Sequence, residues 1–298
     1  MLPERADIAI IGAGAAGLMA AIWAGRTARN TNSPKLKIIA LDGAKVLGAK
    51  ILVAGGGRCN VTHHVVDELQ YAGSSRHAIR NVLGRLSVEQ TIEFFAQLGV
   101  QLKQEETGKL FPTTDDAHTV LDALLAAARN AGVEIRNPWR IDHIQRAQDG
   151  FVLTHTKREG ESSDATIHAK RIIIATGGMA LPRTGSDGKG YEFVRELGHT
   201  LTEPIFPALV PLKLRDGHWI TTLSGLTVPA TFRLISSQHK ILAEYTNSTL
   251  CTHFGLSGPS VLDISRYVIA ANFTDPGCKL TISWIPGMNV EEVDAGLV

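Results

Sequence analysis

The stretch Asp7–Gly17, DIAIIGAGAAG, limits the fold more than any other part of the chain. Asp7–Ile11 is a short, β-branched apolar run, the pattern of a strand buried on both faces of a parallel sheet. It passes directly into Gly12-Ala13-Gly14-Ala15-Ala16-Gly17, and the alanine-rich AAGLMAAIWAGRTAR reads as a helix. Glycines at the first, third and sixth positions of a strand–turn–helix do separate jobs. Gly12 allows the tight turn, Gly14 lets a pyrophosphate lie against the backbone, and Gly17 lets the helix pack close to the strand. Free N–H groups at the helix start then hold the anion. The next strand, Lys37–Leu41, ends in Asp42, which is placed to hydrogen-bond ribose hydroxyls. The distance from the glycines to Asp42 is slightly long, and the polar stretch Asn30–Lys35 accounts for it as a loop insertion. A glycine-rich turn in some other α/β protein is the bland alternative. Strand, helix, second strand and acid occurring together favour a dinucleotide site.

Size and charge exclude several classes. The chain has 298 residues, 44% hydrophobic and 20% charged, which suits one large or two ordinary domains with a normal core. Thirty basic and 29 acidic residues leave a net charge of +1, so no basic surplus points to nucleic acid. Apolar runs such as Leu18–Ala24 are too short to span a bilayer, and the N-terminus lacks a signal-peptide pattern. Cys59, Cys251 and Cys278 are far apart and odd in number, which argues against a disulfide framework and for a reducing, cytoplasmic setting. No Cys/His cluster has metal-ligand spacing, so no metal is expected, and His63–His64 reads as a surface pair pointing two ways.

A plain NAD-binding domain would begin another βαβ repeat after Asp42. Instead the chain continues through KILVAGGGRCNVTH, Lys50 to His63. A glycine-dense loop beside the first nucleotide site suggests a longer cofactor, a flavin whose ribityl chain and ring come near residues 55–60. Arg58 would face phosphate or flavin oxygens, and Asn60 would donate to a ring carbonyl. Cys59 sits in glycine-rich, cationic surroundings that would lower its pKa. It has no nearby partner cysteine for a relay and also reads as a small packing residue. A further apolar strand, Arg171–Ala175, ends in Thr176-Gly177-Gly178, where the chain passes close to the nucleotide again. Thr184–Gly190, TGSDGKG, precedes another helix. Its glycines suit close approach to a substrate or a nicotinamide nucleotide, and its spacing is not that of a P-loop.

The middle of the chain reads as scaffold. Ser87-Val88-Glu89-Gln90 is a capping box opening a helix that ends near Gly99. Thr114–Asp116 can cap a second helix, with Val120, Leu121, Leu124, Leu125 and Ala128 on one face and Gly132 as its stop. Short strands follow at Val133–Arg136, near Ile141 and at Phe151–His155. Pro204, Pro207 and Pro211 then mark a boundary, giving residues 1–204 as a nucleotide-binding domain and 205–298 as a second one. Alternating runs there, LTVPATFRLI and KILAEYT, read as antiparallel strands. In THFGLSGPSVLDISR, Pro259 suits the first position of a helix whose Val261, Leu262, Ser265 and Val268 face the core. His253 and Ser257 are candidate catalytic side chains there, with Cys59 as a third. A lone histidine beside a turn is more often structural.

The segments GAGAAGLMAA, KILVAGGGRCNVTH, GKLFPTTDDAHTVLDALL, ATGGMALPRTGSDGKGY, GHTLTEPIFPALVPL and THFGLSGPSVLDISR together resemble the BaiN-like family. Its members are also called aminoacetone oxidase-family FAD-binding enzymes or NAD(P)/FAD-dependent oxidoreductases. The resemblance runs in order over essentially the whole chain. It implies an α/β fold, a Rossmann-like FAD/NAD(P)-binding domain with a central parallel sheet and a mostly β inserted domain. It also implies FAD as cofactor, NAD(P)H as electron donor and a small-molecule substrate. It carries FAD contacts onto Gly12, Ala13, Gly14, Ala15, Ala16, Gly17, Asp42, Lys50, Gly56, Gly57, Arg58, Cys59, Asn60, Thr176, Gly177 and Gly178. In related flavoproteins a strand in the middle region brings a backbone group near the adenine, here at about Ile141. Asp42 departs from the more usual Glu and reaches less far. Related chains return from the inserted domain to the first one, so the ending GMNVEEVDAGLV places this chain's end within its second domain and leaves the flavin site incomplete. The reading is an FAD-dependent oxidoreductase. The alternatives are a non-catalytic nucleotide-binding remnant and a flavoprotein acting on RNA, the latter disfavoured by the near-neutral charge.

Overall fold

The computed structural model describes residues 4–30, 36–156, 164–288 and 290–296. The expected loop insertion therefore lies, beyond Asn30, outside the described residues. Two compact units divide the chain, Met1–Thr202 and Glu203–Val298.

The first unit begins with β1 (Glu4–Ile11), α1 (Ala15–Asn30) and β2 (Ile38–Leu41). Then come α2 (Ala49–Val53), a tight turn at Ala54–Gly57, β3 (Thr62–His63), α3 (Arg76–Leu83) and α4 (Val88–Gln97). Next are β4 (Leu102–Gln104), β5 (Lys109–Pro112), α5 (Ala117–Asn130) and β6 (Glu134–Arg136). The unit closes with β7 (His143–Ala147), β8 (Gly150–His155), β9 (Ala165–Ile174) and α6 (Lys189–Glu196). Six strands form one sheet in the order β6-β2-β1-β9-β8-β7. Its first four are mutually parallel, while β8 runs antiparallel to both β9 and β7. A small three-stranded sheet, β3-β5-β4, lies beside it in the chain.

Burial on both faces explains why β1 reads as an unbroken apolar run. Ile8 and Ile10 point into a core with Leu18, Ile22, Phe94, Leu121 and Leu124. Ala9 and Ile11 point into the opposite core with Leu41, Leu153, Ile167 and Phe193. The helices start where their caps dictate. Ser87 Oγ accepts the Gln90 N–H at 3.2 Å while Gln90 Oε1 accepts the Ser87 N–H at 2.8 Å. Asp116 Oδ1 likewise accepts the His118 N–H at 2.9 Å. One local expectation is corrected. His63 and His64 do not diverge, because both rings are drawn to the Thr107–Gly108 turn, where their centroids lie 4.6 Å apart.

The second unit contains β10 (Leu212–Lys213), β11 (Thr227–Ile235), β12 (Ile241–Thr252) and β13 (Gly255–Ser257). Its helix α7 (Pro259–Thr274), β14 (Lys279–Ser283) and α8 (Val290–Gly296) follow. The five strands form an antiparallel sheet ordered β10-β13-β12-β11-β14. Phe232, Leu234, Cys251 and Leu256 from the sheet meet Val261 and Ile264 from α7. Pro259 opens that helix as expected, and Val261 and Ser265 are buried. Ile264 takes the core place expected of Leu262, which is only half-buried, because the helix turns a slightly different face to the sheet.

Three charges meet at the start of β1. Glu4 of β1 accepts from Arg136 of β6 at 2.9 Å and from Lys37, beside β2, at 2.5 Å. The Arg136 guanidinium, and then the Lys37 ammonium, hold the Glu4 carboxyl at about 2, below its ordinary 4.5. A carboxyl held low in the folded state stabilises the fold above its unfolded pKa. That contribution is lost as pH falls from 4.5 towards 2. Glu4→Gln should therefore lower stability near neutral pH by about 1 kcal/mol, a figure reduced for solvent screening at this partly exposed site. It should also flatten the acid decline. Urea unfolding at a series of pH values checks both, and equal pH profiles for the two proteins would refute the assignment.

Candidate functional site

A cavity of about 1000 Å³ opens at the carboxyl ends of the parallel strands, lined by their last residues Ile11, Leu41 and Ile174. Strand order diverges here, with β2 on one side of β1 and β9 on the other. Open α/β sheets bind ligands at such a point.

The glycine turn forms one wall. Gly12 has φ 97° and donates its N–H to Leu41 O at 2.7 Å. A Cβ on it would lie 2.6 Å from Ala175 O, and one on Gly17 would lie 1.8 Å from Gly12 O. A Cβ on Gly14 would meet nothing within 4 Å. So the protein's own backbone demands two of the three glycines, while the third leaves open a space that lies in the cavity. Gly14, Ala15 and Ala16, at the start of α1, line that space. Ala13 is fully buried and, with Gly17, lies behind the wall.

Asp42 holds this corner together. Its Oδ2 accepts the Ala13 N–H at 2.7 Å and its Oδ1 accepts the Ala44 N–H at 2.8 Å. Its backbone carbonyl accepts the Trp139 N–H at 2.6 Å. Each carboxylate oxygen keeps a further lone pair able to accept from a hydroxyl. Trp139, Arg140 and Ile141 continue the wall. Trp139 stacks on His155 with centroids 4.9 Å apart, and His155 Nδ1 lies 2.7 Å from Arg140 O. Ile141 was expected near this end. Trp139 and Arg140 were not, and nothing local in their sequence marks them.

The run Gly55–Gly57 has its own reason for lacking side chains. All three residues have left-handed φ, at 57°, 71° and 91°. Gly56 and Gly57 are not on the cavity lining, and neither is Arg58. Arg58 turns away because Glu105 accepts from it at 2.5 Å and the Phe111 ring lies 4.1 Å beneath it. Cys59 and Asn60 do line the cavity. Cys59 is buried, and burial pushes its thiol above the ordinary value. That corrects the expectation of a lowered pKa, since apolar walls disfavour the thiolate. Lys50 also lines the cavity and donates to Ala180 O at 2.8 Å and to Ser186 Oγ at 2.6 Å.

Beside the Gly12 turn, Thr176 and Gly177 also line the cavity, while Gly178 is off the lining, close to the Tyr191 hydroxyl. Thr184, Gly185, Ser186, Asp187, Lys189 and Gly190 contribute as well, so the TGSDGKG cluster belongs to this wall. The burial of Asp187 would raise its pKa. The hydrogen bond from Arg140 and the Lys189 N–H outweigh that and leave it below the usual carboxylate value. His253 and Ser257 lie in the second unit. His253 is exposed, edge-on to Phe254 with ring centroids 5.0 Å apart, and Ser257 sits in β13 opposite Leu250. Among the described residues, no group of three or more His, Cys, Asp or Glu could hold a metal. Among the same residues, no helix is long and apolar enough to cross a membrane.

Residues 6–296 match the family described as HI0933-like protein Rossmann domain. A protein of Clostridium scindens named 3-dehydro-bile acid delta(4,6)-reductase is 34% identical over 96% of this chain and 66% of its own length. Proteins named ribosomal RNA dihydrouridine synthase, from Escherichia coli and Haemophilus influenzae, are 29% and 30% identical. They align over 97% and 98% of this chain and 66% and 67% of theirs. The chain thus spans about two thirds of the length of the curated relatives it matches.

The two kinds of glycine separate in a stability measurement. Gly12→Ala should cost roughly 1–3 kcal/mol through its strained φ and the approach of Ala175. Gly14→Ala should change stability by no more than about 1 kcal/mol, in either direction. Equal losses in denaturant unfolding would contradict the geometry.

Proposed function

The chain belongs to the HI0933-like Rossmann-domain family, and from that premise we propose that its first unit binds FAD as part of an FAD-dependent oxidoreductase. The observation that carries the reading is one continuous cavity. Its walls include Asp42, the open face of Gly14, Asn60 and the Thr176–Gly177 turn. Its volume, about 1000 Å³, stands at the upper end of small-ligand pockets and suits a dinucleotide.

The residues fit such a group. Amides of Gly14, Ala15 and Ala16 at the start of α1 would take the pyrophosphate. Asp42 would accept from ribose hydroxyls, and the Trp139–Ile141 segment would flank the adenine. Lys50, Cys59, Asn60, Thr176 and Gly177 would border the ribityl chain and ring. Bound flavin supplies hydride transfer, and the protein orients it and sets its surroundings. Lys50 keeps a cation in the cavity, held by a carbonyl and a hydroxyl rather than by a carboxylate. It therefore favours negative charge on whatever lies beside it. Buried Cys59, its thiol pushed up, stays protonated at neutral pH and serves as packing. The donor in this reading is NADH or NADPH and the acceptor a small organic molecule, in keeping with the reductase name of the Clostridium scindens relative.

The two relatives named for ribosomal RNA favour a second reading, reduction of an RNA base by the same flavin. A net charge of +1 gives that reading no electrostatic footprint of its own.

Purified protein mixed with FAD should retain flavin absorption after gel filtration, and the bands should bleach with NADH or NADPH. Gly14→Val should weaken FAD at least about tenfold while the fold persists, because the side chain enters the space of the pyrophosphate. A folded protein that retains no flavin would overturn the reading. Salt-sensitive binding of ribosomal RNA, together with flavin, would favour the second one.

A further inference from the structure

The segment Gly178–Gly188 has the build of a fastened loop. Its ends meet, since the Gly188 N–H donates to Gly178 O at 3.1 Å. Compact surface loops with joined ends move as units and are frequently functional. Its two sides differ in character. Ser186 is 7% exposed and faces inward on the cavity lining, whereas Met179, Leu181 and Arg183 are exposed.

Two side chains fasten this loop to other elements through three hydrogen bonds, and Arg140, Asp187, Lys50 and Ser186 all line the cavity. From the β6–β7 connection, Arg140 Nη2 donates to Asp187 Oδ2 at 2.6 Å. From α2, Lys50 Nζ donates to Ser186 Oγ at 2.6 Å and to Ala180 O at 2.8 Å. The two side chains come from elements roughly 90 residues apart in sequence, and both bond the loop. Behind Arg140 the support is rigid, with Trp139 stacked on buried His155. Behind Asp187, the same carboxylate accepts the Lys189 N–H at 3.2 Å and so anchors the start of α6.

We infer that Gly178–Gly188 is a retaining strap over the cavity, with Arg140 and Lys50 as its positioning residues. This rests on the reading that the cavity holds a dinucleotide. A ligand in the cavity leaves when the strap lifts about Gly178 and Gly188, and lifting breaks both fastenings. The free chain is fastened in the same way, so entry waits on the same lifting, and the rates of departure and entry both depend on Arg140, Asp187 and Ser186. Each fastening is partly exposed and modest in strength, so removing one changes the opening equilibrium by a small factor.

Arg183 supplies a readout that does not pass through activity. Trypsin cleaves after this exposed arginine when the strap lifts, and cleavage after exposed Lys240 in the second unit serves as an internal reference. In the free chain, Arg140→Ala and Ser186→Ala should speed cleavage after Arg183 roughly two- to fivefold relative to Lys240, as loss of a partly exposed fastening allows. Bound FAD should slow it. Ser186→Ala, at a residue given no contact with the dinucleotide, should raise the FAD dissociation rate by a similar factor and the association rate with it, and Arg140→Lys should keep cleavage after Arg183 near the wild-type rate. Unchanged cleavage after Arg183, or equal acceleration at both sites, would overturn the strap. So would an unchanged dissociation rate in a Ser186→Ala protein that binds FAD. A wild-type chain that binds no FAD overturns the function reading instead, and the cleavage rates of the free chain still decide the fastening.

Discussion

The site depends on how closely three lengths of backbone approach at the end of β1. Gly12 lies against Ala175, and Gly17 lies against Gly12, at separations that leave no room for a methyl group. That contact brings the strand β9 terminus, the turn and the first helix into one corner. Asp42 then locks the corner by taking N–H groups from Ala13 and Ala44. With the carboxylate used on backbone donors, the turn is shaped before any ligand arrives, which lowers the ordering cost of binding.

The sheet around this corner explains the rest of the cavity. Because β1 is buried on both faces, its end is central, and segments from far along the chain meet there. The β6–β7 connection brings Trp139 and Arg140, the stretch after α2 brings Cys59 and Asn60, and the stretch before α6 brings Ser186 and Asp187. The lining is mainly apolar with a few polar groups, the usual arrangement of a site that fixes orientation with few contacts.

Local features were legible in the sequence where short-range physics decides them. The strand–glycine–helix unit, the Ser87 capping box, the Asp116 cap and the proline start of α7 all appear where spacing put them. Features set by tertiary neighbours were not. Arg58 looks like a cavity cation in sequence, but Glu105, 47 residues away, turns it outward. Three glycines look like room for a ligand, but three left-handed φ values require them. Cys59 sits among glycines and an arginine in sequence, yet burial decides its proton affinity. Trp139 and Arg140 carry no local signal, and only the pairing of β6 with β2 brings them beside Asp42.

The central claim is that the first unit's cavity is one site built for a whole dinucleotide. Calorimetric titration of the protein with FAD, FMN and AMP tests it most directly. Binding of FAD should be tighter than that of either half, with AMP and FMN each retaining a weak, separate affinity and together competing for the full site. Equal affinity for FMN and FAD, or no binding by any of the three, would contradict it.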